Sequence, residues 1–191
     1  MQHLLWQNKE STLVADCRVF SVYRNLALSP NESDIRDFYV LKLSNWANVI
    51  PITEDGNVVF VKQYRHGTSQ VTLEIPGGIV DLEDEDTKET ARRELFEETG
   101  YKSEDLIFLG RHNPNPALQD NFCDTYLASN VKQIANPTFD KEGYEQIELA
   151  LVPLSSISQL IANGDIAHGV VITAFYYLGL YENKISSTGT R

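Results

Sequence analysis

Between Thr12 and Leu28, the apolar residues Leu13, Val14, Cys17, Val19, Phe20, Val22, Tyr23 and Leu26 are interleaved with polar ones, and Pro30-Asn31-Glu32-Ser33-Asp34 follows as turn chemistry. This predicts a β-hairpin near the N-terminus. Apolar runs at 38–43, 46–52 and 58–64 predict further strands, the last two joined by a tight turn at Glu54-Asp55-Gly56-Asn57. The strand Leu73-Glu74-Ile75 is stopped by Pro76-Gly77-Gly78, and a loop is expected after it. Asp86 or Thr87 caps a helix beginning near Lys88, in which Ala91 and Leu95 fall one turn apart and Gly100 supplies the stop. Strands are then predicted at 106–109, 124–128 and 147–152, with Pro153 ending the last. A short helix over Ile157, Leu160 and Ile161 is broken at Asn163-Gly164-Asp165, and residues 170–180 are apolar enough for a buried terminal helix. From Ser186 the chain reads as a frayed polar tail.

A length of 191 residues favours one domain with a small appendage, and 42% hydrophobic with 23% charged residues is ordinary globular composition. Residues 1–44 are expected to form a β extension suited to dimerisation, 45–181 the main domain and 182–191 a polar tail. The charge sum, 16 − 27 = −11, argues against generic nucleic-acid binding and leaves an anionic ligand in need of local help, most simply a metal ion. The longest mostly apolar stretch, residues 169–181, is short of the roughly 18 residues of a membrane span. The first residues lack the basic and apolar regions of a secretory signal, so a cytoplasmic location is expected. Cys17 and Cys123 are too few for a disulfide framework and are expected to be buried thiols.

Candidate chemistry concentrates in Gly78-Ile79-Val80-Asp81-Leu82-Glu83-Asp84-Glu85 and in Arg93-Glu94-Leu95-Phe96-Glu97-Glu98-Thr99-Gly100-Tyr101. Helical positions three and four apart are neighbours, so Glu94, Glu97 and Glu98 share one patch and repel each other unless something intervenes. Hard divalent cations prefer such oxygen ligands and bridge them to phosphates. Arg93 is placed to neutralise one carboxylate, and the Gly77-Gly78 backbone can present a bare carbonyl to the same ions.

This ordered string resembles the box of the Nudix hydrolase family, Gly-x5-Glu-x7-Arg-Glu-apolar-x-Glu-Glu-x-Gly-apolar. Its second half matches completely. In the first half either Glu85 is the isolated acid after a loop one residue longer, or Asp84 takes that place and the lead into the helix is longer. The resemblance implies an α/β/α sandwich around a mixed β-sheet, here with an N-terminal β-hairpin extension. It implies Glu94 and Glu98 as principal metal ligands, Glu97 as a further ligand or acid–base group, and the Gly77 carbonyl as an additional ligand, with Mg²⁺ as the ion and Mn²⁺ as a substitute.

Residues 58–65 and 73–78 are similar to the segments leading into the box in ADP-ribose pyrophosphatases and related nucleoside-diphosphate-sugar hydrolases. The resemblance therefore implies Mg²⁺-dependent cleavage of such a substrate, ADP-ribose first, with GDP-mannose or another nucleotide sugar as the alternative and an idle nucleotide-binding sensor as the second. Pro116, fifteen residues after Tyr101, stands where members acting on ADP-ribose often carry a proline. Glu142 and Glu145 occupy the place of the mobile loop that supplies the group activating water. Arg65 is suited to grip a phosphate or ribose, or else to pair with Glu74; Trp46 and Tyr39 are candidates to stack on a base or to pack. His66, His112 and His168 have no metal-site spacing. A homodimer built by the N-terminal segment is expected, with no nucleic-acid or membrane partner.

Overall fold

A computed structural model of the chain describes residues 2–81, 83, 84, 86–138 and 146–188. The alternating N-terminal residues form β1 (Gln7–Asp16) and β2 (Ser21–Leu28), the expected hairpin, with Leu13 opposite Tyr23. The following turn is held by the Ser29 hydroxyl, which accepts from the amides of Ser33 and Asp34 at 3.2 and 3.1 Å. It returns the chain as β3 (Ile35–Lys42), antiparallel to β2 along its whole length, so the extension is a three-stranded sheet and not a hairpin. The strand at 38–43 was legible; that it completes this sheet was not.

By contacts the chain forms two compact units, one of residues 1–45 with 113–122 and one of residues 46–112 with 123–191. In the first, the later segment lies along β3: Leu41 N–H donates to Leu118 O at 2.7 Å, and Asp120 N–H donates to Leu41 O at 3.3 Å. Leu13, Val14, Phe38 and Tyr39 remain exposed. So does Cys17, contrary to expectation, because it stands in the β1–β2 connection and not on a strand face.

The second unit is built on β4 (Trp46–Thr53), β5 (Asn57–Arg65), β6 (Gln70–Glu74), β7 (Gly77–Ile79), β8 (Tyr101–Lys102), β9 (Leu106–His112), β10 (Cys123–Gln133) and β11 (Ile147–Pro153). The sheet runs β11-β5-β4-β10-β8, with β6 beside β5, β7 beside β4 and β9 beside β10. Among the described residues of this unit only β4 and β10 pair in parallel; the other pairs are antiparallel. Among the described residues it is flanked by the helices α1 (Thr87–Thr99), α2 (Ile157–Asn163) and α3 (Gly169–Thr188).

Alternation along β4 sorts its side chains onto two cores. Ala47 and Val49 join Val59, Leu106 and Tyr126 beneath Ala91 and Leu95 of α1. Ile50 joins Val58, Phe60 and Leu127 against Ile157 of α2 and Val171, Ala174 and Leu178 of α3. Helices thus cover both faces of a mixed sheet, the expected α/β/α sandwich. Cys123 is buried as expected, and burial pushes its thiol up to about 12. Among the described residues no helix is long and apolar enough to cross a membrane.

Two expectations change. Gly77-Gly78-Ile79 is a strand and not a loop, because bare glycines permit close pairing with β4: a Cβ at Gly77 would stand 2.6 Å from Ala47 O and 2.7 Å from Asn48 Cβ. The polar C-terminal stretch continues α3 from Ser186 to Thr188, and the rest of the expected tail, 189–191, lies outside the described residues.

The helix α1 begins and ends as its sequence demands. Asp86 caps it by accepting from the amides of Lys88 and Glu89 at 2.8 and 3.0 Å. Gly100 closes it at φ +73°, donating to Phe96 O at 2.8 Å, with Ala135 O pressed where a side chain would begin. Gly100→Ala should therefore destabilise the protein by at least about 2 kcal/mol in urea unfolding, from the left-handed backbone and the overlap together.

Candidate active site

The 3.6-residue repeat that buries Ala91 and Leu95 also turns Glu94 and Glu98 toward β7. Glu98 is 7% exposed, and its Oε2 accepts from Gly77 N–H at 3.0 Å. The Glu94 carboxylate lies directly against Gly78, where its Cδ would be 2.6 Å from any Cβ. Two of the three expected metal-binding carboxylates thus converge on one glycine pair, and Gly78 is bare because Glu94 occupies the space. Glu97, with a side chain 44% exposed, stands farther out.

Arg93 binds this patch together. Its Nη1 donates to Glu94 Oε1 at 2.8 Å and to Glu97 Oε2 at 3.2 Å. Its Nη2 donates to Asp84 Oδ2 at 3.1 Å and to Ile79 O at 3.2 Å, and lies 3.2 Å from Asp81 Oδ2. Burial works against the guanidinium's charge, but the bonds to Asp84 and the field of Glu94 outweigh it and raise its pKa above the usual value. Asp84 is lowered in return, chiefly by its bond to Arg93. Thr90 Oγ1 also donates to Asp84 Oδ2 at 2.8 Å. Of the two candidates for the isolated acid, Asp84 is the one on Arg93; Glu85 lies outside the described residues.

The Glu94 and Glu98 carboxylates offer oxygen donors of the kind a hard cation takes, while the backbone contact made at this patch is the Gly77 N–H on Glu98. Among the described residues no three His, Cys, Asp or Glu side chains stand together as a metal site by themselves. The pair would therefore need a backbone oxygen such as the Gly77 carbonyl.

On the adjoining strands β5 and β6, Arg65 and Glu74 face each other. Arg65 Nε and Nη2 each donate to the Glu74 carboxylate at 2.8 Å, the ion-pair alternative foreseen for them. Thr72 donates to Glu74 as well, and His168 Nδ1 lies 2.9 Å from Glu74 Oε2. Burial tends to raise the Glu74 pKa, but the bonds from Arg65, with His168 Nδ1 close by, prevail and hold it well below the usual carboxylate range. The role of His168 carried no sequence signal, since residues 74 and 168 meet only through tertiary structure.

Trp46 is partly buried at the head of β4, with Ile79 opposite it. Pro116 is exposed in a turn of the first unit, where Leu118 N–H donates to Asn115 O at 3.0 Å. Glu142 and Glu145 lie outside the described residues.

Comparison with known proteins gives a match of the NUDIX domain to residues 44–175. The methanol dehydrogenase activator of Bacillus methanolicus is 33% identical over 70% of this chain and 71% of its own. The ADP-ribose pyrophosphatase of Bacillus subtilis (strain 168) is 28% identical over the same shares, 70% and 71%. A crystal structure of an ADP compounds hydrolase superposes with a TM-score of 0.80 at 19% identity, covering 94% of this chain and 95% of that one, a likeness of fold.

The depressed pKa of Glu74 makes stability depend on pH. A carboxylate ionised more easily when folded contributes stability above its unfolded pKa, about 4.3, and loses it as pH falls toward the folded value. Glu74→Gln should cost about 3 kcal/mol in urea unfolding at pH 7, with the gap from wild type shrinking below pH 4.

Proposed function

The chain belongs to the NUDIX-domain family and is a hydrolase, and on that premise we propose that it cleaves the pyrophosphate bond of a nucleoside diphosphate sugar in a Mg²⁺-dependent reaction. ADP-ribose, giving AMP and ribose 5-phosphate, is the favoured substrate. The observation that carries this reading is the convergence of Glu94 and Glu98 on the Gly77–Gly78 backbone. The name of the Bacillus subtilis relative supports the choice of ADP-ribose.

In this reading Glu94, Glu98 and the Gly77 carbonyl hold the divalent cation. A cation held there would supply charge neutralisation for the diphosphate and polarisation of the bond to be broken. Arg93 aims Glu94 through the 2.8 Å bond and keeps like charges together before substrate arrives. Glu97, the more exposed acid, is a further ligand or a proton-handling group. Glu142 or Glu145 accepts the proton from the attacking water. Arg65, oriented by Glu74, gives the substrate a cationic contact; Trp46 stacks on the base, and Pro116 shapes the sugar side.

The N-terminal sheet is proposed to pair two copies of the chain. The exposed Leu13, Val14, Phe38 and Tyr39 supply apolar surface for such a contact.

Glu98→Gln should lower Mg²⁺-dependent turnover by at least the ~100-fold that loss of a supporting metal contact costs. Turnover near wild type would reject the assigned centre. Product analysis with ADP-ribose, GDP-mannose, UDP-glucose and dinucleotides in Mg²⁺ should show AMP and ribose 5-phosphate formed fastest; faster cleavage of GDP-mannose would replace the favoured substrate. Size exclusion with light scattering at micromolar concentration should give twice the chain mass, and a monomer mass would reject the pairing.

A further inference from the structure

Asp124 is an acid inside the sheet, 1% exposed, which the chemistry above leaves without a task. An ionised carboxylate at that depth persists only when its oxygens are bonded. Arg111 of β9 supplies a fork, Nε to Oδ1 at 2.7 Å and Nη2 to Oδ2 at 2.8 Å. The second bond to Oδ2 comes from the hydroxyl of Thr87, the first residue of α1, at 2.7 Å. Tyr126 Oη is 2.7 Å from the same Thr87 hydroxyl. Thr87 has one proton, and the carboxylate takes it, so Tyr126 must be the donor to Thr87. The direction of the chain is therefore Tyr126 to Thr87 to Asp124, with Arg111 balancing the charge.

This chain of bonds is not a helix cap. Asp86 already serves the amides of Lys88 and Glu89, so the first turn of α1 would be closed without Asp124. What Asp124 adds is lateral: it ties the start of α1 to β10. The far end is tied separately, by Ile134 N–H on Gly100 O at 3.0 Å and Thr138 N–H on Glu97 O at 2.7 Å. Glu94 lies about 10 Å along the axis from Thr87. A stiff helix fixed at both ends fixes its middle, and small displacements of ligands at a reacting centre are costly to rate.

We propose that Asp124 is a positioning residue for hydrolysis: through Thr87 it sets where α1 lies on the sheet, and so where Glu94 and Glu98 meet the Gly77–Gly78 backbone. This rests on the reading of those glutamates as metal ligands given above.

Asp124→Asn removes the charge that Arg111 and Thr87 bond to, but it also leaves Arg111 beside a neutral group and can impair folding. Thr87→Val is the cleaner variant, since it deletes the hydroxyl while leaving the Arg111–Asp124 pair in place. Mn²⁺ binding followed by electron paramagnetic resonance, without substrate, gives a readout independent of turnover. In folded Thr87→Val the Mn²⁺ dissociation constant should rise about fivefold or more and kcat fall about tenfold or more, with KM within about twofold of wild type. Thr87→Ser should restore both. Wild-type Mn²⁺ affinity and kcat in folded Thr87→Val, or failure of Thr87→Ser to restore them, would overturn the positioning role while leaving the hydrolase reading intact. Wild-type protein that neither binds Mn²⁺ nor cleaves any nucleotide sugar would overturn the metal reading, and this role with it.

Discussion

Glu94, Glu97 and Glu98 stand within little more than one turn of a helix, and like charges at that spacing repel. Arg93 offsets the repulsion, touching Glu94 and Glu97 with one terminal nitrogen and the acids of the preceding loop with the other. The same guanidinium therefore keeps the acidic face of α1 intact and holds Ile79, Asp81 and Asp84 against it. Glu98 is steadied differently, by the backbone amide of Gly77 in β7, the strand that pairs with β4.

Local pattern carried much of this fold. The cap at Asp86, the stop at Gly100, the stripe of Ala91 and Leu95, and the break at Gly164 are short-range effects, and each is where residue chemistry puts it. The carboxylate patch was equally legible, because helical spacing alone places Glu94 and Glu98 on one side. The strand Gly77–Ile79 was not, since glycine pairs usually interrupt strands and here the pairing depends on what β4 presents. Cys17 misled for a related reason: an apolar residue in an alternating stretch was expected inside, but a connection between two strands offers no cover.

Long-range ion pairs were the least visible. Arg65 and Glu74, nine residues apart on adjoining strands, were foreseeable from a hairpin, and they do pair. Asp124 sits in a run that reads as strand, with no mark that its side chain would be buried against a threonine thirty-seven residues earlier. Asp84 and Glu85 were equal candidates on counting alone; the geometry of Arg93 is what places Asp84 on it.

The first compact unit is discontinuous in sequence: its last strand is flanked by a stretch that belongs, by numbering, to the middle of the chain. A shortened protein starting at the NUDIX match would therefore not be a clean minimal domain. It would keep Leu118 and Asp120 but strip away Leu41, the backbone partner of both, so the connector between β9 and β10 would lose the strand it lies along. Evolutionary loss or engineering removal of the leading residues would require redesign of that connector as well.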